Sequence, residues 1–431
     1  MPNNHDVIVI GAGVVGCSIA HALSRAGMKT LNIDALPAAG YGSTSHSSAI
    51  VRPFYSHITS CAVAHESRSR WLQWPQFLEV EDPGGYARYT ETGGLILFNE
   101  ADRASYDQNL IILDEVGVEY EILDSAGVLA HYPRISLQNF GPPRRLDDEL
   151  FGTTGQNPVC GGIYIPACGH VSDPQLAARN LQTAAVARGA EFRFGAAITE
   201  ILRDATKVHG VKIATGEELH AQVVVNAAGP HSSIVNALAG IVDQLSISTR
   251  AHRHEVAYIA TPPGYAAKQH GFIADMDTGT YQRGDGADLL IGSTDPACDP
   301  ADIVDPDDYQ ESFSEQWTLQ VYRAALRAPD LLIESKARGT VGLYDVSNDW
   351  IPIYDKTDLE GFYLAIGTSG NQFKNAPIIG DIMAKIILAG GRGVDHDLAP
   401  EMLELPQLKR RVDLSFYSRN REIQLTRSVM A

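Results

Sequence analysis

Positive charge is scarce in this chain. Across 431 residues, 34 lysines and arginines stand against 52 aspartates and glutamates, and the net charge of −18 repels nucleic acid and anionic lipid. Neither is an expected partner. Cysteine is scarce too: Cys17, Cys61, Cys160, Cys168 and Cys298 are scattered, odd in number and without a CxxC pair. That usage argues against a disulfide framework or a metal site and for a reducing cytoplasm, each thiol reading as a small buried hydrophobe. No apolar run approaches the length of a membrane span. The opening "MPNNHDVIVIGAG" enters a strand without a basic and apolar leader, so secretion is not expected. Internal repeats, low-complexity tracts, an HExxH motif and a Ser-His-Asp arrangement are missing as well.

What remains is ordinary globular composition, 44% hydrophobic and 20% charged, in a chain too long for one core. Two domains are expected. Asp6 to Ile10, "DVIVI", crowds β-branched residues before a helical pattern from Val14 to about Arg25, and "MKTLNID" follows as a second strand. This is a βαβ opening. Between the strand and the helix lies Gly11-Ala12-Gly13-Val14-Val15-Gly16, and Asp34 ends the second strand. Glycines there permit a tight turn and close approach of backbone to a pyrophosphate, the helix N-terminus favours negative charge, and a carboxylate at Asp34 accepts from a ribose. The pattern predicts a dinucleotide site.

From about Glu91 the alternation of strand and helix gives way to "GGLILFN", "ADRASYDQNLIILDEVG" and "YEILDSAGVLAHYP", as an inserted second domain would. The expected class is therefore α/β, with an α+β second domain. A Rossmann-like nucleotide domain (residues 1–90, 151–235 and 338–400) is interleaved with a substrate domain on a mixed or antiparallel sheet (91–150 and 236–337). Residues 401–431 form a polar C-terminal extension.

The strand "AQVVVNAAGPHSS", with Ala228-Gly229-Pro230, separates FAD from NAD, because NAD enzymes lack so regular a feature. With "GSTSHSSAIVR", "HVSDPQLAARNL", "GLYDVSNDWIPI" and "AIGTSGNQFKNAP" in this order, the chain to about Pro400 resembles the D-amino acid oxidase superfamily of flavoproteins. Its nearest likeness is the branch of sarcosine oxidases, sarcosine and dimethylglycine dehydrogenases and glycine oxidase. The resemblance implies FAD, held by Gly11, Gly13, Gly16, Asp34, Ala228 and Gly229, with its ring bracketed by two loops. One is Gly42 to Arg52, with Ser43, Thr44 and His46; the other is Gly367 to Pro377, with Ser369, Gly370, Asn371, Gln372 and Lys374.

The same resemblance assigns roles. Arg52 aligns with an arginine that grips substrate carboxylate, and Lys374 with a basic residue that does so beside the flavin; a structural acid partner and a solvated loop lysine are the plain alternatives. For His46 two readings stand. Dimethylglycine and sarcosine dehydrogenases carry FAD covalently on a histidine at this spacing, although "SHSSA" departs from their aromatic-His-Ala-Ala wording; otherwise His46 is a neutral neighbour of the ring. Gly342 in "TVGLYD" stands where monomeric sarcosine oxidases have a flavin-linked cysteine, so a cysteinyl link is not expected. Leu290 stands where they have an oxygen-activating lysine, which points to a dehydrogenase more than an oxidase. Tyr281 and Arg283 fall where relatives face substrate, a paired surface arginine being the alternative for Arg283. His252 and His254 share a strand face without a third ligand, so they read as structural or substrate-adjacent.

The implied reaction is oxidation of the C–N bond of an amino acid or N-alkyl amino acid, with hydride passing to flavin and the imine hydrolysing. Arg52 and Lys374 clamp a carboxylate-bearing amine. Oxidation of a 2-hydroxy acid or glycerol phosphate, or service as a flavin-bearing subunit of a larger complex, are the alternatives. Oxygen, a quinone or an electron-transfer protein stay open as acceptor, as do the general base and assembly into an oligomer.

Overall fold

Of the first strand, His5–Ile10, only Asp6 is exposed, as a parallel strand covered on both faces requires. The computed structural model describes residues 5–262 and 271–424. In it this strand runs parallel to Thr30–Ile33 on one side and to Glu218–Asn226 on the other. Glu191–Arg193 and Phe362–Ile366 extend the sheet outward in parallel, and Ile353–Lys356 closes one edge antiparallel. Helix Val14–Arg25 lies on this sheet against helices Pro174–Val186 and Ala376–Gly391. Small side chains set that approach: a Cβ on Gly380 would stand 2.3 Å from the carbonyl oxygen of Ser18, and Ala177, Ala178, Ala184 and Ala185 are wholly buried.

Among the described residues the second sheet has eight strands, and only Gly94–Asn99 and Phe272–Asp275 pair in parallel. Gly339–Ser347 forms one edge beside the long strand Thr249–Ala260, followed by Asp288–Ser293 and Thr280–Asp285. Val159–Ile165 and Glu121–Asp124 complete the other side. Here the domain boundaries read from sequence need correction. Val159–Ile165 and Gly339–Ser347, placed in the nucleotide segments 151–235 and 338–400, hydrogen-bond within the substrate sheet. Both sheets use short apolar strands of similar composition, so which sheet a strand joins depends on its tertiary neighbours.

Residues 401–424 pack as part of the main body. Hairpin Met402–Leu405 with Arg410–Asp413 buries Leu405, and Leu414 beyond it is also buried. Glu66, buried in helix Ile58–Leu72, accepts from the backbone N–H of Gln407 (3.2 Å) and Leu408 (3.1 Å). Further on, buried Arg419 reaches Asp355 at 3.1 Å, Asp358 at 2.6 Å and Asp397 at 2.9 Å. Asp355 is itself fully buried, so losing its cation strands a charge in the interior. Arg419→Met is expected to cost about 3–5 kcal/mol, read as a lower urea midpoint at unchanged slope. An unchanged midpoint would show that the tail does not contribute to the fold.

Candidate active site

The dinucleotide loop is built by backbone pressed on backbone. Gly11 has φ 107°, and a Cβ there would lie 2.2 Å from the Ala227 carbonyl oxygen; one on Gly16 would lie 1.9 Å from that of Gly11. Side chains are excluded at both places, which keeps the helix end open to a ligand. Gly13 caps helix Val14–Arg25 in extended conformation without a side-chain bond, and the first turn carries no acid. Asp34 receives the N–H of Ala12 at 2.6 Å and of Leu36 at 2.8 Å, while the Thr44 hydroxyl accepts from Val14 at 3.0 Å. Ala228 passes beside Gly11, and Gly229 turns the chain with φ 57°. A helix N-terminus without a side-chain cap from Gly13, a side-chain-free turn and a carboxylate at the second strand's tip fit the pyrophosphate and ribose of FAD. Thr44 sits at this helix end, where its hydroxyl braces the first turn through the Val14 N–H.

A cavity of about 290 Å³ opens between the two loops. Among the described residues lining it, Arg52 and Lys374 are the bases. Both are buried, each 4% exposed, so the solvated reading of Lys374 falls. The Arg52 guanidinium donates to the Phe54 carbonyl and stands 4.9 Å from the Tyr55 ring centre. The Lys374 ammonium donates to the Tyr55 hydroxyl at 3.0 Å and to the Asn371 carbonyl at 2.5 Å. Burial, and then the neighbouring Arg52 charge, drive the Lys374 amine well below its ordinary pKa. Burial pushes the Tyr55 phenol up to about 12. No carboxylate lies within ion-pair distance of Lys374 among the described residues. An arriving anion would stabilise both cations.

The second loop is strained and pinned. Ser369 holds φ 47°, donates its N–H to the Asp345 carbonyl at 2.7 Å and receives the N–H of Ser347 on its hydroxyl. A Cβ on Gly370 would meet the Tyr344 ring at 2.3 Å, so glycine is required there. Ser369, Gly370 and Asn371 line the cavity. Gln372 turns away from it: its amide oxygen receives Tyr354 and Asn375. Lys374 is fixed through its own carbonyl, which accepts from Ser67 and from the Trp71 indole, both at 2.7 Å.

The first loop leans on strand Gly339–Ser347. Ser43 donates to the Leu343 carbonyl at 2.6 Å, and His46 Nδ1 hydrogen-bonds the Thr340 hydroxyl. Gly342 makes room for this imidazole, since a Cβ there would come within 2.8 Å of the His46 Cβ. Burial lowers the His46 pKa and favours the neutral ring. Tyr281 lines the cavity, whereas Arg283 does not, and of the alternative for it the pairing holds but not the surface position. It is buried, not superficial, and its guanidinium bonds the carbonyls of Ser48 (2.8 Å) and Gly284 (2.8 Å) and the Asp285 carboxylate (3.1 Å), bracing the first loop from behind.

Sequence reasoning missed Tyr55, Asp345 and Trp350. Only "RPFY" and "YDVSNDW" carried any signal of them. Asp345 is buried at the root of the second loop, where one carboxylate oxygen receives the N–H of Gly367 at 2.5 Å. Burial raises its pKa to about 7, against the Gly367 hydrogen bond that lowers it. The folded state therefore holds this proton more tightly than the unfolded chain. The stability it lends is complete below the ordinary carboxyl pKa of about 4 and is lost as pH rises to about 7. Asp345→Asn is expected to flatten that part of the stability curve, seen by comparing melting at pH values below and above this window. An unchanged slope would place the titration elsewhere.

Comparison with known proteins agrees with this geometry. Residues 6–386 match the family model DAO, FAD dependent oxidoreductase. D-amino acid dehydrogenase of Methylobacterium sp. (strain 4-46) is 27% identical over 52% of this chain and 61% of its own length. Mitochondrial sarcosine dehydrogenase of Mus musculus is 25% identical over 85% of this chain and 38% of its own length. The chain thus spans less than two thirds of these relatives. Among solved structures, L-proline dehydrogenase from P. horikoshii superposes with a TM-score of 0.75 at 20% identity, over 97% of this chain and 98% of that one, a likeness of fold. With a family match over most of its length and a cradle shaped for the cofactor, the chain belongs to the DAO family of FAD-dependent oxidoreductases.

Proposed function

We propose that this protein oxidises the C–N bond of a small amino acid or N-alkyl amino acid, sarcosine-like in kind. The observation that carries the reading is the pair of buried bases, Arg52 and Lys374, in one small cavity between the two flavin-bracketing loops. A guanidinium fork and an ammonium suit a carboxylate, and in a buried site such bonds are strong and orienting. The Tyr55 hydroxyl and Asn371 carbonyl hold the Lys374 amine in place before substrate arrives. Phe272, Tyr281, Tyr344, Trp350 and Phe373 supply apolar wall that limits water. When bound, FAD would accept the hydride from the carbon next to nitrogen, and the protein's part is to fix that carbon by its carboxylate. The imine so formed hydrolyses.

Leu290 is buried in strand Asp288–Ser293, and no lysine replaces the oxygen-activating residue of the sarcosine oxidases at this place. That supports a dehydrogenase passing electrons to a quinone or an electron-transfer protein. We read His46 as a noncovalent neighbour of the flavin, on the strength of its hydrogen bond to Thr340 and its packing over Gly342. A cytoplasmic location fits five free cysteines.

Anaerobic bleaching of the flavin by amino acids and N-methyl amino acids, but not by 2-hydroxy acids or glycerol phosphate, is the expected result. Bleaching by hydroxy acids alone would overturn the reading. Lys374→Met and Arg52→Lys should each raise KM about 10- to 100-fold, the worth of a charged hydrogen bond, with a smaller effect on kcat. In acid precipitation the yellow colour should stay in the supernatant. Colour in the pellet that disappears in His46→Ala would establish a histidyl link instead.

A further inference from the structure

The carboxylate clamp leaves open what holds the other end of the substrate. Among the described residues lining the cavity, Asp295 is the only acid. It follows strand Asp288–Ser293 in a left-handed conformation, φ 53°, with its N–H donated to the Ser293 hydroxyl at 3.0 Å. Such a conformation is sparsely populated outside glycine, so the surroundings hold this side chain where it is.

Asp295 stands apart from the basic pair. Asp295 follows strand Asp288–Ser293 of the second sheet, whereas Arg52 and Lys374 come from the two loops. Its charge acts on Tyr281, Tyr344 and His252. His254 lies beside it, with Nδ1 3.6 Å from the carboxylate and its face stacked on Tyr344 at 4.0 Å. Tyr344 and Tyr281 both line the cavity. The cavity is thus polarised, with two bases on one set of elements and one acid on another, joined by aromatic faces. Aromatic faces and a carboxylate together suit a cationic nitrogen.

We propose that Asp295 receives the substrate's positively charged nitrogen, so that the site selects zwitterions: carboxylate to Arg52 and Lys374, ammonium to Asp295. His254 positions the Asp295 carboxylate from behind. This inference rests on the carboxylate reading of Arg52 and Lys374 and adds to it the demand for a cation.

The test uses the FAD-loaded enzyme and ligands it cannot oxidise at nitrogen by losing a proton. Trimethylammonioacetate and its carbon isostere tert-butylacetate differ only in the fixed charge, and homologous pairs one and two methylenes longer vary the span. Each is titrated against the visible spectrum of the bound flavin. In the native enzyme at least one pair should favour the cation about tenfold or more, and Asp295→Asn should reduce that preference to about threefold or less while tert-butylacetate and its homologues bind as before. Asp295→Glu should recover part of it, and Asp295→Ser supplies the same comparison if the amide variant fails to retain flavin. A native enzyme without preference, or a preference unchanged in Asp295→Asn, overturns the proposal with the carboxylate clamp intact. If no carboxylate of either kind perturbs the flavin, and Lys374→Met changes nothing, the clamp itself is wrong and the proposal falls with it.

Discussion

Holding two bases, Arg52 and Lys374, out of water within one small cavity is the constraint on which the rest of this structure depends. Removing an arginine and a lysine from solvent costs several kcal/mol each even after relaxation. Fixed dipoles meet part of that cost: the Phe54 carbonyl at Arg52, and the Asn371 carbonyl and Tyr55 hydroxyl at Lys374. The remainder has to be carried by the fold. Helix Ile58–Leu72 grips the Lys374 carbonyl through Ser67 and Trp71, and Trp71 stacks at once on Trp74 (4.3 Å) and Phe373 (5.5 Å). Remove that aromatic stack, and the ammonium loses the rigid frame that keeps it beneath the cavity.

The loops carrying the site are fixed from the opposite side by one strand. Gly339–Ser347 receives Ser43 on the Leu343 carbonyl and Ser369 on the Asp345 carbonyl, and its Thr340 hydroxyl hydrogen-bonds His46 Nδ1. Both loops thus take their position from the edge strand of the second sheet. A glycine turn built on one sheet and a cavity lining fixed by the other tie the two sheets together. This also explains why strained residues, Ser369 and Gly370, concentrate where the loop must approach Tyr344 and Asp345 closely.

Much of this was legible in the residues themselves, and the reasons differ by level. The helix Val14–Arg25 was readable to the residue because glycines precede it and its apolar period is regular. The dinucleotide loop was readable because steric demand at Gly11 and Gly16 admits one residue type. Gly339–Ser347 was misassigned because an apolar edge strand carries no mark of which sheet it will join. Tyr55, Asp345 and Asp295 were missed for a related reason: their roles come from neighbours between about 20 and 320 positions away in sequence, such as Asn371 for Tyr55 and Gly367 for Asp345. Gln372 and Arg283 were overread because proximity in sequence to a site does not settle which way a side chain turns. A strand's period of two puts Tyr281 and Arg283 on one face, yet the cavity ends at the first of them.

The shortage of positive charge with which the sequence opens bears on the choice of substrate. A net charge of −18 sets up a field that lowers the local concentration of anions, most steeply for doubly charged ones. A 2-hydroxy acid or a glycerol phosphate would have to climb that field to reach Arg52 and Lys374. A zwitterion carries no net charge and meets no such barrier, while inside the cavity its two ends are separately recognised. On the proposed reading, the acidic exterior, the basic pair and Asp295, the one acid among the described lining residues, would favour the same kind of molecule, an amine with its carboxylate attached, over the anionic alcohols that the basic pair alone would admit.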